Sequence, residues 1–176
     1  MVLWGVPGVG KSTFARWLKA NKGYEHVDTD VVAARGPSST LERSWFGVTS
    51  GQSTPEAFIK AAAEFPRPVV VEYGLFADPA GVALLSRLEV LGARPLWFDG
   101  DRAAAKEAWR SENRVGHRPF ADGKWDEVVT VIDANWPLIQ GFFGPDRIVR
   151  SIESGPAHVS PESTYASKFG DGGPKS

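Results

Sequence analysis

The chain has 176 residues, the length of one domain, and can bury a full core. Its 42% hydrophobic and 23% charged residues are ordinary for a soluble globular protein, and a net charge of −1 supplies no global basic field for nucleic acid or an anionic membrane, although a local basic groove stays open. With no cysteine there is no disulfide, thiolate zinc site or cysteine nucleophile, and His26, His117 and His158 are too scattered along the chain to announce a metal cluster.

Val2-Leu3-Trp4 is a short apolar run that reads as a buried strand ending in Gly5. The chain is therefore expected to enter its core at once, with no leader, and no apolar run reaches the ~18 residues of a membrane span. A cytoplasmic protein without membrane association is the expectation. From Lys11, the residues Phe14, Ala15, Trp17 and Leu18 recur at helical spacing until Asn21-Lys22-Gly23 stops the helix. His26-Val27-Asp28 predicts a second strand. Residues 33–53 are rich in Gly, Ser and Thr and read as irregular, with at most one short helix.

Thr54-Pro55-Glu56 signals a capped helix running to about Glu64. Pro68 to Glu72 carries three consecutive valines, which suit a parallel strand buried on both faces. Asp78-Pro79 opens a helix with Val82, Leu85, Leu88 and Leu91 inward and Gly92 at its end. Arg94 to Phe98 is a fourth strand, and Arg102 to about Asn113 is helical by composition. Lys124 to Gln140 carries Trp125, Val128, Val129, Ile132 and Trp136 at helical spacing, with Pro137 forcing a kink or an end. Arg147 to Ile152 predicts a fifth strand and Ser160-Pro161-Glu162 a last short helix. Residues 170–176 read as a disordered tail, leaving a single domain over 1–169. Strands alternating with helices predict an α/β fold of three layers, a five-stranded parallel sheet between helices, with ligands beyond the carboxyl ends of the strands.

Gly5-Val6-Pro7-Gly8-Val9-Gly10-Lys11-Ser12 spells the whole phosphate-loop pattern between a strand and a helix. Glycines let backbone N–H groups turn inward around an anion, and the following helix aims its positive end at it. Pro7, Gly8, Val9, Gly10, Lys11, Ser12 and Thr13 are the expected nucleotide-binding residues. Lys11 would reach the β- and γ-phosphates, and the Ser12 hydroxyl would ligate Mg²⁺. ATP or another nucleoside triphosphate with Mg²⁺ is therefore the expected cofactor pair. The competing reading, a glycine-rich turn spelling the pattern by accident, does not explain its placement between strand and amphipathic helix.

Together with Asp28 and Asp30 and the segment Trp109-Arg110-Ser111-Glu112-Asn113-Arg114, this loop resembles the small P-loop kinases. That group includes nucleoside, nucleotide, shikimate and gluconate kinases, polynucleotide 5′-hydroxyl kinases and the zeta-toxin type. The resemblance covers most of the chain in element order, but only the phosphate loop is specific. It implies an aspartate after the second strand that faces the acceptor hydroxyl; Asp30 matches, with Asp28 as competitor and a helix N-cap as the alternative role. In an extended segment both would point to one side. It implies an acid at the end of the valine strand, Glu72, holding Mg²⁺ through water; a charged residue marking the strand's exit is the alternative. It implies a lid, about 110–122, whose arginines close over the phosphates: Arg110 and Arg114 as catalytic groups, Arg110 also touching the nucleotide, and Arg118 near the substrate. A solvated basic helix face beside Glu107 and Glu112 is the competing reading. Arg35 matches an acceptor-site position, or is a surface arginine. Tyr73 and Phe76 would stack on an aromatic substrate or pack the loop, and residues 154–159 would line the adenine.

The expectation is an ATP-dependent kinase that phosphorylates a hydroxyl or phosphate of a nucleoside, nucleotide or nucleic-acid acceptor, a modified base in phage DNA included. Seven tryptophans favour a base-stacking acceptor, with Trp45, Trp109 and Trp125 placed to approach it, unless they are core. A sugar or antibiotic kinase is the alternative acceptor class. An ATPase or a non-catalytic nucleotide-binding module is the alternative of another class. A GTPase lacks its Asn/Thr-Lys-x-Asp signature, and Val71-Glu72-Tyr73 fits a motor ATPase poorly. No protein partner is implied.

Overall fold

A computed structural model of the chain describes residues 1–73, 77–111, 122–152 and 158–170. Its centre is a parallel sheet of β1 (Val2–Gly5), β2 (Glu25–Asp28), β3 (Val69–Glu72), β4 (Pro95–Gly100) and β5 (Ile148–Ile152), in the order β2-β3-β1-β4-β5. Every residue of β1 and β3 is buried, as a strand covered on both faces requires. The five expected strands all form, each within two residues of its expected ends.

Side chains that are neighbours on a strand point to opposite faces, which identifies the two helical layers. On β4, Trp97 meets Trp136 and Phe143 of α8 (Trp136–Arg147), whereas Phe98 meets Phe14 of α1 (Lys11–Lys22). Both strand residues are buried to within 1%. Trp4, Trp45, Trp97, Phe143, Leu85 and Leu88 are among the largest fully buried side chains. No helix among the described residues is long and apolar enough to cross a membrane.

The helix starts follow their caps. Thr54 accepts from Ala57 N at the head of α4 (Pro55–Ala63), Asp78 from Gly81 N at α5 (Pro79–Val90), and Ser160 from Ser163 N at α9 (Pro161–Phe169). Each has proline in its first turn, where no N–H is needed. Leu91, expected on the inward face of α5, is instead its C-cap and half-buried. Pro137 acts as an end rather than a kink. The chain breaks at Asn135, between α7 (Asp122–Ala134) and α8, with Pro137 in the first turn of the new helix.

Residues 33–53 correct the expectation of an irregular stretch. They hold the end of α2 (Thr29–Arg35) and all of α3 (Thr40–Thr49). Ser39 caps α3 by accepting from Glu42 N, and Leu41, Trp45 and Val48, spaced four and three apart, bury one face. Of the Gly, Ser and Pro residues that read as loop, Ser44 and Gly47 lie within α3 and the others in the link 36–39 and the turn after α3.

Candidate active site

The chain leaves β1 at Gly5, curls through Val6 to Gly10 and enters α1 at Lys11. Gly8 sits at φ +88°, and a Cβ there would lie 2.1 Å from the Ala105 carbonyl oxygen and 2.9 Å from Trp109 Cβ. Both neighbours belong to α6 (Arg102–Ser111), which can cross the loop this closely only over a glycine. From α7 the Trp125 indole donates to the Pro7 carbonyl at 3.2 Å. The Val9 carbonyl accepts from Ser151 Oγ at 2.5 Å. The loop is thus braced on its outer side by helices from the arginine-bearing half of the chain. Lys11 is buried, and its ammonium donates to the carbonyls of Gly5 at 3.0 Å and Val6 at 2.8 Å.

Beside the loop, the ends of β2 and β3 bring acids together. Asp28 and Glu72 are register partners across the two strands. Ser12 Oγ donates to Glu72 Oε2 at 2.7 Å, and His26 Nε2 lies 2.6 Å from Glu72 Oε1. Glu72 is 6% exposed, and the Thr29 hydroxyl donates to its main-chain carbonyl. His26, Asp28 and Glu72 each present a ligand atom, all within 4.8 Å of one another. Hydroxyl, carboxylates and imidazole in this grouping have the donor chemistry of a divalent cation site. The Ser12–Glu72 pair fits the magnesium expected there.

The histidines therefore need correcting. His26 joins the two acids although no spacing in the sequence joined it to anything. The signal that would have found it is strand parity: residues 26 and 28 share one face of β2.

Asp28 and Asp30 are not two residues of one extended segment. The backbone turns helical at Thr29, and Asp28 is the N-cap of α2, its Oδ1 accepting from Asp30 N at 3.0 Å and Val31 N at 3.2 Å. The cap role weighed for Asp30 belongs to Asp28, and Asp30 occupies the first helical turn, half-buried.

The remaining candidates separate. Tyr73 is 8% exposed, with its ring against Trp4 and Trp45, so core packing and not a stacking surface describes it. Burial, with the Asp78 charge adding to it, pushes its phenol pKa up. Trp45 is fully buried between Phe58 and Tyr73, and its indole donates to Thr29 Oγ1 at 2.8 Å; Trp125 is also buried. Of the three tryptophans expected near an acceptor, Trp109 alone is only half-buried. Arg35, at the end of α2, donates to Glu42 Oε1 at 2.6 Å and to the Gly36 carbonyl at 2.8 Å. Arg110 lies in the last turn of α6, 4.0 Å from Glu107. Phe76, Arg114 and Arg118 lie outside the described residues, as do residues 154–157 of the expected adenine loop. At that loop's end, His158 stands over the phosphate loop, with Nδ1 3.0 Å from where a Cβ on Gly10 would be. A pocket of about 80 Å³ opens there between Thr13, Phe14, His158 and Pro161.

This sheet order, with a phosphate loop leaving the central strand, is the fold of the small P-loop kinases. Solved structures that share it include three kinases. A shikimate kinase from Bacteroides thetaiotaomicron aligns at a TM-score of 0.53 with 15% identity, over 93% of this chain and 92% of that one. A gluconokinase from Sinorhizobium meliloti aligns at 0.50 with 16% identity, over 95% and 87%. A sugar kinase from Janibacter sp. aligns at 0.53 with 18% identity, over 93% and 87%. No protein-family model matches the sequence, and no curated protein matches it.

Proposed function

We propose that the chain is an ATP-dependent phosphotransferase that moves the γ-phosphoryl group to a hydroxyl of a small polar acceptor. The observation that carries this reading is the Ser12–Glu72 hydrogen bond, which joins a complete phosphate loop to a buried carboxylate beside Asp28. An acid pair at the phosphate end of a nucleotide site has a use in transfer to an acceptor. A simple nucleotide-binding module has no need of it.

In the proposed reaction the loop residues 7–13 hold the triphosphate, and Lys11 exchanges its loop carbonyls for β- and γ-phosphate oxygens. Ser12 and Glu72 are the groups that would hold Mg²⁺, which when bound neutralises charge on those oxygens. Asp30 accepts the proton of the acceptor hydroxyl as its oxygen bonds to the γ-phosphorus. The bond from that phosphorus to the β–γ bridging oxygen breaks, and ADP leaves. Asp30 takes this role over Asp28 because Asp28 already holds the start of α2 and adjoins Glu72. Arg110, with Arg114 and Arg118 of the expected lid, would stabilise charge on the transferring group.

A small acceptor, of the kind named for the gluconokinase and sugar kinase neighbours, is favoured over a nucleobase. The stacking argument for a nucleoside or nucleic-acid end loses Trp45, Trp125 and Tyr73 to the core. Trp109 still supports it, so nucleosides belong in the same test. With γ-labelled ATP and a panel of sugars, sugar acids, hydroxylated ring acids, nucleosides and DNA ends, label should move to one acceptor class. Lys11→Ala and Asp30→Asn should each lower that transfer about 10²-fold or more. Label released only as free phosphate, with Asp30→Asn unaffected, would remove the acceptor site and leave an ATPase.

A further inference from the structure

The side chains beside the phosphate loop contain more than an oxygen-only magnesium site uses. Mg²⁺ takes oxygen ligands and keeps several waters, so a carboxylate and a hydroxyl are enough for it. Here an imidazole is added. The His26 side chain is only 10% exposed and that of Glu72 7%, with Nε2 held against Oε1. The Ser12 hydroxyl approaches the other oxygen, Oε2, of the same carboxylate. Asp28 completes a group whose ligand atoms all lie within 4.8 Å of one another. Two ligands on one ion, each about 2.0–2.2 Å from it, stand no more than about 4.4 Å apart, so small side-chain shifts close this group onto a single ion.

We propose that His26 Nε2, Asp28 and Glu72 form a binding site for a divalent transition metal of the Co²⁺, Zn²⁺ or Mn²⁺ kind, filled without nucleotide. Imidazole nitrogen raises affinity for these ions, whereas carboxylate alone suits Mg²⁺ equally well. The ligands stand on paired strands, with Asp28 opposite Glu72 and His26 two residues earlier on the same face, so the site exists before any ligand arrives. Metal at Nε2 takes the place of the His26–Glu72 hydrogen bond, and the neutral ring then carries its proton on Nδ1. The consequence is a metal preference set by the protein and not by the triphosphate. The ion sits at the metal position of the kinase proposed above, but its detection requires neither ATP nor acceptor.

The test is made on the full chain without nucleotide. Co²⁺ is titrated by visible absorption, and Mn²⁺-loaded protein is examined by pulsed electron paramagnetic resonance for coupling to nitrogen. One saturable Co²⁺ site with nitrogen coupling to Mn²⁺ is expected. His26→Gln should abolish the coupling and weaken Co²⁺ binding about tenfold or more, leaving Mg²⁺ binding much less changed, while His158→Gln should alter neither. Wild-type protein without nitrogen coupling overturns the proposal, whether or not the variant folds. So does coupling that survives His26→Gln. A chain that phosphorylates an acceptor yet shows no coupling loses this inference alone, and one with coupling but no transfer loses the kinase reading alone.

Discussion

Asp28 does two things at one position. Its Oδ1 accepts from two N–H groups at the head of α2, and the carboxylate adjoins His26 and Glu72. In the proposed reaction the acceptor's proton is therefore assigned to Asp30, in the first turn of the helix. Arg35 is a similar case of one residue read two ways. It pairs with Glu42, and the hydrogen bond from Arg35, aided by Ser38, holds the Glu42 carboxyl at about 2 instead of its usual 4.5. A carboxyl depressed in the folded state adds stability above its unfolded pKa and loses it as pH falls through the folded one. The contribution should be complete above about pH 5 and fade between about 4.5 and 2. Urea midpoints measured across that range should fall for wild type and fall less steeply for Glu42→Gln. Parallel acid limbs would mean that the Arg35–Glu42 pair does not persist in solution. If Arg35 also serves an acceptor, binding must compete with Glu42.

At the scale of elements, the phosphate loop is shaped as much by what packs outside it as by its own glycines. Gly8 and Gly10 share a φ of +88°, so alanine at either costs about 1–3 kcal/mol of backbone strain. They differ in their neighbours. A Cβ on Gly8 meets the main-chain oxygen of Ala105 at 2.1 Å, whereas one on Gly10 meets the His158 ring at 3.0 Å, and a side chain can swing aside. Gly8→Ala should therefore destabilise the protein more than Gly10→Ala in urea unfolding, because it must also lift α6 off the loop. Equal losses would mean that α6 does not rest on the loop as described. Through this contact and the Trp125–Pro7 hydrogen bond, α6 and α7 both bear on the phosphate loop. The repeat of arginines was legible in the sequence; the packing of α6, which carries Arg110, on Gly8 was not, since the two positions are about a hundred residues apart in the chain.

For the molecule as a whole, two apolar layers clamp one sheet, and the aromatic residues make up much of the clamp. Trp4 meets Trp97 edge-on at 5.3 Å and Phe143 at 6.2 Å, while Phe14 and Phe98 pack on the other face. Leu85 of α5 is fully buried in this core. Leu85→Ala should cost about 2–5 kcal/mol, seen as a lower denaturant midpoint at unchanged m. Val90, 75% exposed near the end of the same helix, should change stability by less than about 0.5 kcal/mol when cut to alanine. A loss under 1 kcal/mol at Leu85 would contradict the packing of α5 against the core. The count of tryptophans, which favoured a base-stacking acceptor, is explained at this scale: Trp4, Trp45 and Trp97 are fully buried and Trp125 nearly so.

The sequence alone determined the layers, the five strands and the phosphate loop, because each rests on local pattern. An apolar run ending in glycine, a run of valines and proline in a first helical turn act within a few residues. It misjudged residues 33–53, where a capping serine and a buried stripe at four- and three-residue spacing outweighed the Gly and Ser content. Tertiary structure alone decided which polar groups meet. His26, Asp28 and Glu72 converge because β2 and β3 pair in parallel register, and Ser12 reaches Glu72 because β3 lies beside the strand that launches the loop. Register between strands 40 residues or more apart follows from the packing of both sheet faces at once, and no single stretch of the chain carries that information.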